Sequence, residues 1–187
     1  TAAASRILNV AKELFYNEGI QAVGIDRIIK ESSVAMNTMY KHFPSKDKLI
    51  ECYLKARDVE WMEWLNQYIE KEKEPRDKIL AIFNALEDWF QEETFRGCGF
   101  INASGELGNT KPYVKEISKT HKENVYQVIL QILSETKIKQ VERLAKQIMI
   151  LVEGAIVQAY INNDTKAASN AKEIAEILLE REKNMVP

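Results

Sequence analysis

Apolar residues recur along this chain at the three- and four-residue spacing of amphipathic helices, in stripes separated by short polar or Gly/Pro breaks. Ile7, Ala11, Leu14 and Phe15 form the first stripe and predict a helix over about residues 5–17, with Gly19 as its stop. Ile25, Ile28 and Ile29 place a second, shorter helix next. Ser32-Ser33 breaks it, Val34 and Met39 pin a third, and Phe43-Pro44 ends that one. Ser45 suits the cap of a long fourth helix, with Asp47 favourable to the helix dipole in its first turn. Leu49, Cys52, Tyr53, Ala56 and Val59 keep its spacing, and Trp61, Leu65 and Ile69 continue it. The charged run from Glu70 to Glu74, then Pro75, closes it.

Ile79, Ile82, Phe83, Leu86, Trp89 and Phe90 define a fifth helix, broken at Arg96-Gly97-Cys98-Gly99. A short sixth, rich in small residues, spans Phe100 to Gly108. Val114, Ile117, His121, Val125, Val128 and Ile132 carry a seventh. The eighth, about 138–161, has Val141, Leu144, Ile148, Leu151, Val152 and Ala155 on one side and Met149, Ile156 and Tyr160 on another. After a turn at Asn162-Asn163-Asp164, the residues Ala168, Ala171, Ile174, Ala175 and Leu178 make a ninth. The fold class is therefore all-α, with about nine helices. A helix that is apolar on more than one face must be covered on both. Either one chain buries both faces, or the last two helices pack against a second copy as a four-helix bundle, and a homodimer is the expectation.

A chain of 187 residues, 45% of them hydrophobic, holds one domain or two small ones, and only 7 Gly and 4 Pro agree with helices throughout. The net charge of −2 does not mark a nucleic-acid binder until it is divided by position. Residues 1–48 carry 7 Lys/Arg against 5 Asp/Glu, and the rest 19 against 23. A mildly basic start on an acidic body supports a local phosphate-contacting patch. Cys52 and Cys98 lie far apart, which suits a reduced cytoplasmic protein. With His42 and His121 they show no metal-ligand spacing, so neither a metal nor a cofactor is expected. No signal peptide is evident and no apolar run approaches the ~20 residues of a membrane span. The opening Thr1 in place of Met is the expected mark of a trimmed start.

The most informative stretch is IDRIIKESSVAMNTMYKHFPSK, Ile25 to Lys46. Two short helices around a tight turn leave Met36, Asn37, Thr38, Tyr40, Lys41 and His42 facing out. A helix this short does not stabilise itself, so its polar face is held up by neighbours, as in a DNA-reading helix-turn-helix. Residues 6–50 resemble the tetracycline-repressor (TetR) family of bacterial transcriptional regulators. The matching residues are Arg6, Ile7, Ala11, Leu14, Phe15 and Gly19, then Ile28, Val34, Thr38, Tyr40, His42, Phe43, Ser45, Lys46 and Leu49, with TMYKHFPSKDKLI (Thr38 to Ile50) the most specific run. RGCGFINASGELG, Arg96 to Gly108, is similar to a segment of the effector domain in one branch of that family. Three positions depart from its pattern. Ser33 and Ile29 stand where the family has Gly and a small residue, and Gly24 replaces the usual Thr or Ser cap. Ser33 must make the turn without glycine's freedom at positive φ, which leaves the angle between the helices open. Gly24 leaves backbone N–H groups free of a side-chain cap and open to a phosphate.

The resemblance implies a DNA-binding domain over residues 1–48 and a ligand-binding and dimerisation domain over 49–187. The second helix of the motif, from Ala35 to His42, would enter the major groove of a near-palindromic operator. There Asn37 and Thr38 would read base edges and Met36 would touch a thymine methyl. Tyr40, His42 and Lys46 would contact phosphates, with Lys41 a peripheral charge. A repressor released by a small-molecule effector is the family default.

The fourth to seventh helices are rich in large rings, and Asn102, His121 and Glu153 interrupt apolar stripes. Most of the rings fill a core; the polar groups either satisfy one another or converge on a pocket. Trp61, Trp64, Phe83, Trp89, Phe90, Phe100, Asn102, His121, Tyr126 and Glu153 are the candidate effector contacts, and their aromatic bias points to an apolar or aromatic ligand. Two other readings compete. Cys98 with His121 and Glu106 could form a nucleophile and base, but nothing in the spacing favours it and no enzyme is expected. An all-helical dimeric interaction module that has lost sequence-specific DNA binding is the other, supported only by Ser33 and the modest charge.

Overall fold

The computed structural model describes residues 1–184. Among them are nine α-helices and no strand: α1 (Ala2–Glu18), α2 (Ile25–Ser32), α3 (Met36–His42), α4 (Lys46–Ile69), α5 (Pro75–Phe90), α6 (Gly99–Leu107), α7 (Pro112–Ser134), α8 (Val141–Asn162) and α9 (Ala167–Asn184). Each was legible as a stripe, with ends differing by a few residues. α1 starts earlier than expected because Thr1 caps it, its hydroxyl accepting from the Ala4 N–H. α8 starts at Val141, after Ile138.

Compactness divides the chain elsewhere than at residue 48. One unit joins Thr1–Glu60 with Gly99–His121; the other joins Trp61–Cys98 with the chain from Lys122 onward. α4 and α7 therefore contribute residues to both.

In the first unit, α1 buries Ile7, Ala11, Leu14 and Phe15, and packs on α2 and α3. Ile28 and Met39 are the fully buried residues these short helices offer in return. Phe15 meets Tyr53 of α4 edge to face at 5.5 Å. α4 buries Leu49, Ile50, Tyr53 and Leu54, whereas Val59, expected on its apolar face, is 55% exposed. The turn between α2 and α3 is settled by Ser33, which adopts the left-handed conformation (φ 53°, ψ 44°) that glycine usually supplies, its N–H donating back to Ile29 and Lys30. The open question about the interhelical angle thus resolves to a glycine-type turn made by serine.

In the second unit, α5 packs against α8 and α9. α9 offers Ala168, Ala171, Ala175 and Leu179 to the interior, and this small-residue stripe lets helices approach closely. α8 buries Leu144, Ala145, Ile148, Val152, Ala155, Ile156 and Ala159. Its other face exposes Ile150, Val157, Tyr160 and Ile161, so Ile156 belongs to the core and not to the second face where the periodicity put it. By length and mean composition α8 is apolar enough to cross a membrane, although, as the sequence indicates, no unbroken apolar run spans it. Lys146 and Glu153 interrupt its apolar sequence, and its buried side serves as core of this unit.

Candidate functional site

The reading head is built by economy. α3 is seven residues long and buries only Met39, which anchors it on α1, so every other side chain is available to solvent or neighbours. Ala35 precedes the helix in extended conformation without a side-chain cap. Met36 is 56% and Tyr40 46% exposed; Asn37 and Lys41 are also exposed, and Thr38 is half-buried. Gly24 starts α2 with no side-chain cap, and open space surrounds the place where a Cβ would stand. These residues share one unit.

Two of the expected phosphate contacts are engaged within the protein. His42 Nε2 lies 3.2 Å from Thr1 Oγ1, linking the end of α3 to the start of α1. Lys46 donates from Nζ to the Ile20 carbonyl at 2.7 Å. Burial holds its ammonium below the ordinary lysine value, against the opposing pull of Glu106 and Asp47. Through this one bond Lys46 braces the turn before α2.

The expected effector residues fall into two groups. Phe100, Asn102 and His121 are in the first unit. His121 is buried, stacks on Phe100 at 3.8 Å between ring centroids and 12° between planes, and holds Asp58 at 2.7 Å through Nδ1. Trp61, Trp64, Phe83, Trp89, Phe90, Tyr126 and Glu153 are in the second. There Trp61 and Trp64 lie 5.6 Å apart, and each lies 6.1 Å from Trp89. Phe95 adds contacts of 5.0 Å to both Trp89 and Phe90, and 6.0 Å to Tyr160. Tyr68 extends the cluster from Trp64 and donates to Asp88 at 2.7 Å. Phe83 is core of α5, and Tyr126 is half-buried on α7.

Glu153 accepts from Lys122 at 2.8 and 2.9 Å, and the same ammonium lies 3.3 Å from Cys98 Sγ. Burial pulls Lys122 down, but attraction to Cys98 and Glu153 outweighs it and leaves the group above the ordinary lysine value. His121 and Glu153 thus find protein partners in Asp58 and Lys122 and not in one another. A groove of about 840 Å³ in the second unit is lined by residues such as Arg76, Glu135, Lys137 and Lys183, and by none of the ten expected effector contacts. Among the described residues, no group of three or more His, Cys, Asp or Glu could hold a metal ion.

Sequence reasoning missed several tie residues. Glu106 of α6 accepts from the N–H groups of Ile20 and Gln21 at 3.1 and 2.9 Å. Asp47 accepts from Lys111 at 2.8 Å and from the Tyr113 hydroxyl at 3.3 Å. The hydrogen bond from Lys111 holds the Asp47 carboxyl below its usual range, while burial and the facing carboxylate push the Tyr113 phenol up. Such contacts span 64 to 86 residues of sequence, and no local pattern signals them.

Comparison with known proteins agrees with the motif. Residues 7–52 match the profile of bacterial regulatory proteins of the tetR family, and residues 75–175 that of the tetracyclin repressor-like C-terminal domain. The chain is 20% identical to the HTH-type transcriptional regulator YjdC of Escherichia coli K12, over 92% of this chain and 91% of that protein. It is 38% identical to the HTH-type transcriptional regulator SAB2452 of Staphylococcus aureus, over 43% of this chain and 40% of the other. Among solved structures, the TetR-family regulator SCO4454 from Streptomyces coelicolor superposes with a TM-score of 0.89 at 26% identity, over 97% of this chain and 90% of that one. Reduced NemR from E. coli does so at 0.84 and 20% identity, over 94% and 95%.

Proposed function

The chain belongs to the TetR family of DNA-binding transcriptional regulators, and on that premise we propose that it is a repressor released from a near-palindromic operator by a small-molecule effector. The observation that carries the DNA half is α3 itself. One buried residue anchors it, and Met36, Asn37, Tyr40 and Lys41 stand exposed along it. Asn37 and Thr38 read base edges in the major groove, and Met36 offers an apolar contact to a thymine methyl. Tyr40 and His42 contact the phosphates, with Lys41 a peripheral charge and the uncovered N–H groups behind Gly24 as a further anion-facing point. Lys46 keeps the platform under them in place. Function divides the chain at residue 48, with the head before it and effector binding and dimerisation after it.

The effector binds residues of the second unit, where Trp61, Trp64, Trp89 and Phe90 favour an apolar or aromatic molecule. It acts by favouring the DNA-incompetent geometry, transmitted along α4, whose first turns belong to the head. Two copies join through the exposed apolar faces of α8 and α9 and present two heads about 34–36 Å apart to successive major grooves. The protein works in the cytoplasm with operator DNA, an effector and a second copy of itself as partners.

Fluorescence anisotropy tests the reading on labelled DNA from upstream of the protein's own gene, at two salt concentrations with random DNA as competitor. The expected result is tight, competitor-resistant binding that weakens steeply with salt. Binding no better than to random DNA, repeated on sequences drawn by selection from a random pool, would leave the interaction-module reading in its place.

A further inference from the structure

We propose that the corner between α6 and α7, residues 106–113, is the handle that positions the reading head, with the Glu106 carboxylate as its grip on the turn before α2. The proposal rests on the DNA-binding reading above and names the residues that orient that site. It starts from an unmet need of the backbone. α1 ends at Gly19 (φ 93°), whose own N–H still reaches the Phe15 carbonyl. The next two N–H groups, of Ile20 and Gln21, have left the helix ladder. Successive N–H groups behind a positive-φ residue form a small anion-receiving concavity. Its occupant is the Glu106 side chain, with Oε1 3.1 Å from the Ile20 nitrogen and Oε2 2.9 Å from that of Gln21.

The fit is close on every side. The Gln21 side-chain amide donates to the Glu106 main-chain oxygen, so each residue holds the other. A Cβ at Gly19 would lie 3.3 Å from Glu106 Oε2, a tight approach that the carboxylate would have to shift to relieve, and the positive φ itself favours glycine. The Ile20 carbonyl receives Lys46, and this one peptide segment is therefore held from α6 and from α4 together.

A second contact lies past the other end of the motif. Asp47, in the first turn of α4, receives Lys111 at 2.8 Å and the Tyr113 hydroxyl at 3.3 Å. The helix-turn-helix is thus bracketed, at Ile20 and Gln21 before α2 and at Asp47 after α3, and both brackets reach the same short stretch of chain. One contact would leave a pivot; two restrict the motion to rotation about the line that joins them. A displacement of α6 is passed to the head directly through Glu106, in parallel with α4. Glu106, Ile20, Gln21, Asp47, Lys111 and Tyr113 do not lie among the residues offered to DNA, so Glu106 is a positioning residue and not a contact.

The test compares wild type with Glu106→Ala and Glu106→Gln on two duplexes: a full site drawn by selection from random-sequence DNA with the wild-type protein, and one half of that site. Loss of orientation penalises simultaneous engagement of two heads, and leaves one head on one half-site unaffected. Glu106→Ala is expected to weaken full-site binding about tenfold and half-site binding less than twofold, with Glu106→Gln between, since it keeps one acceptor oxygen. Unchanged full-site affinity, or an equal loss on both duplexes, overturns the proposal. Amide hydrogen exchange supplies a readout independent of DNA. The Ile20 and Gln21 amides should exchange faster in Glu106→Ala while those of Met39 and Phe43 stay protected; no change at the first pair also overturns it. If the wild type selects no sequence, the regulator reading fails by itself, and the exchange data alone decide the grip.

Discussion

Ser33 is a residue in the wrong conformation for its type, and the consequence is measurable. A left-handed backbone costs an ordinary residue roughly 1–2 kcal/mol, which glycine does not incur, though glycine loses part of that advantage through its greater freedom in the unfolded chain. Ser33 is exposed and makes its closing hydrogen bonds through the backbone, so nothing is lost with its side chain. Ser33→Gly should therefore raise the unfolding free energy by about 1 kcal/mol in urea titration and leave DNA affinity as it was. A drop in stability would mean the hydroxyl has a role the turn does not require. The departure itself was visible in the sequence; which turn the serine would make was not, because the backbone choice depends on how α2 and α3 dock on α1. Lys46 is the converse case. As a lysine in a phosphate-binding pattern it read as a DNA contact, and its bond to Ile20 came from a residue 26 positions away. Lys46→Met should lower stability by about 1–2 kcal/mol while leaving the slope of log affinity against log salt unchanged. A slope smaller by about one would restore it as a phosphate contact.

Whole elements were the most legible part of this chain, since a stripe of apolar residues depends only on local spacing. What spacing leaves out is which stripe meets which, and the aromatic residues of α4 and α5 show the difference. Their abundance was plain, yet equally compatible with dispersed core filling; the structure gathers all three tryptophans of the chain into one contact group. Tryptophan emission therefore reports this cluster and nothing else. An apolar aromatic effector bound there should quench it along a single saturation curve, with the same midpoint as its effect on operator affinity. An effector that releases DNA without touching the emission would place its site elsewhere. The cluster is also structural: Trp89 is 7% exposed and contacts Trp61, Trp64, Phe90 and Phe95, so Trp89→Ala should destabilise by about 3–5 kcal/mol. Between elements, Asp47 and Lys111 make a pH-dependent link. A carboxyl held below its usual range stabilises the fold above about pH 4, and that contribution is lost as pH falls through the depressed value. The stability gap between wild type and Asp47→Asn, followed by denaturant titration, should be present at pH 6 and close on acidification towards pH 3.

At the scale of the whole molecule, the question is why a folded chain leaves so much apolar surface uncovered on its last two helices. Ile150, Val157 and Ile161 on α8, with Ile174 and Ile177 on α9, are each between 44% and 71% exposed. On α8 they follow the spacing 150, 157, 161, and Gly154 fills the place between the first two. An added Cβ at Gly154 would meet no atom within 4 Å. Within one chain that glycine has no use: it weakens the helix by about 1 kcal/mol relative to alanine and packs against nothing. It has a use if another helix approaches the stripe, because the missing side chain lets two backbones come close. The two accounts predict opposite outcomes for one substitution. Gly154→Gln should stabilise the isolated subunit by roughly 0.5–1 kcal/mol through helix propensity alone. If the stripe is the dimer face, the same change places a long polar side chain in its middle. Sedimentation should then show dissociation to monomer at micromolar concentration, and full-site DNA binding should fall with it while half-site binding persists. A Gly154→Gln protein that is more stable, still dimeric and still bound to the full site would show that the copies meet elsewhere.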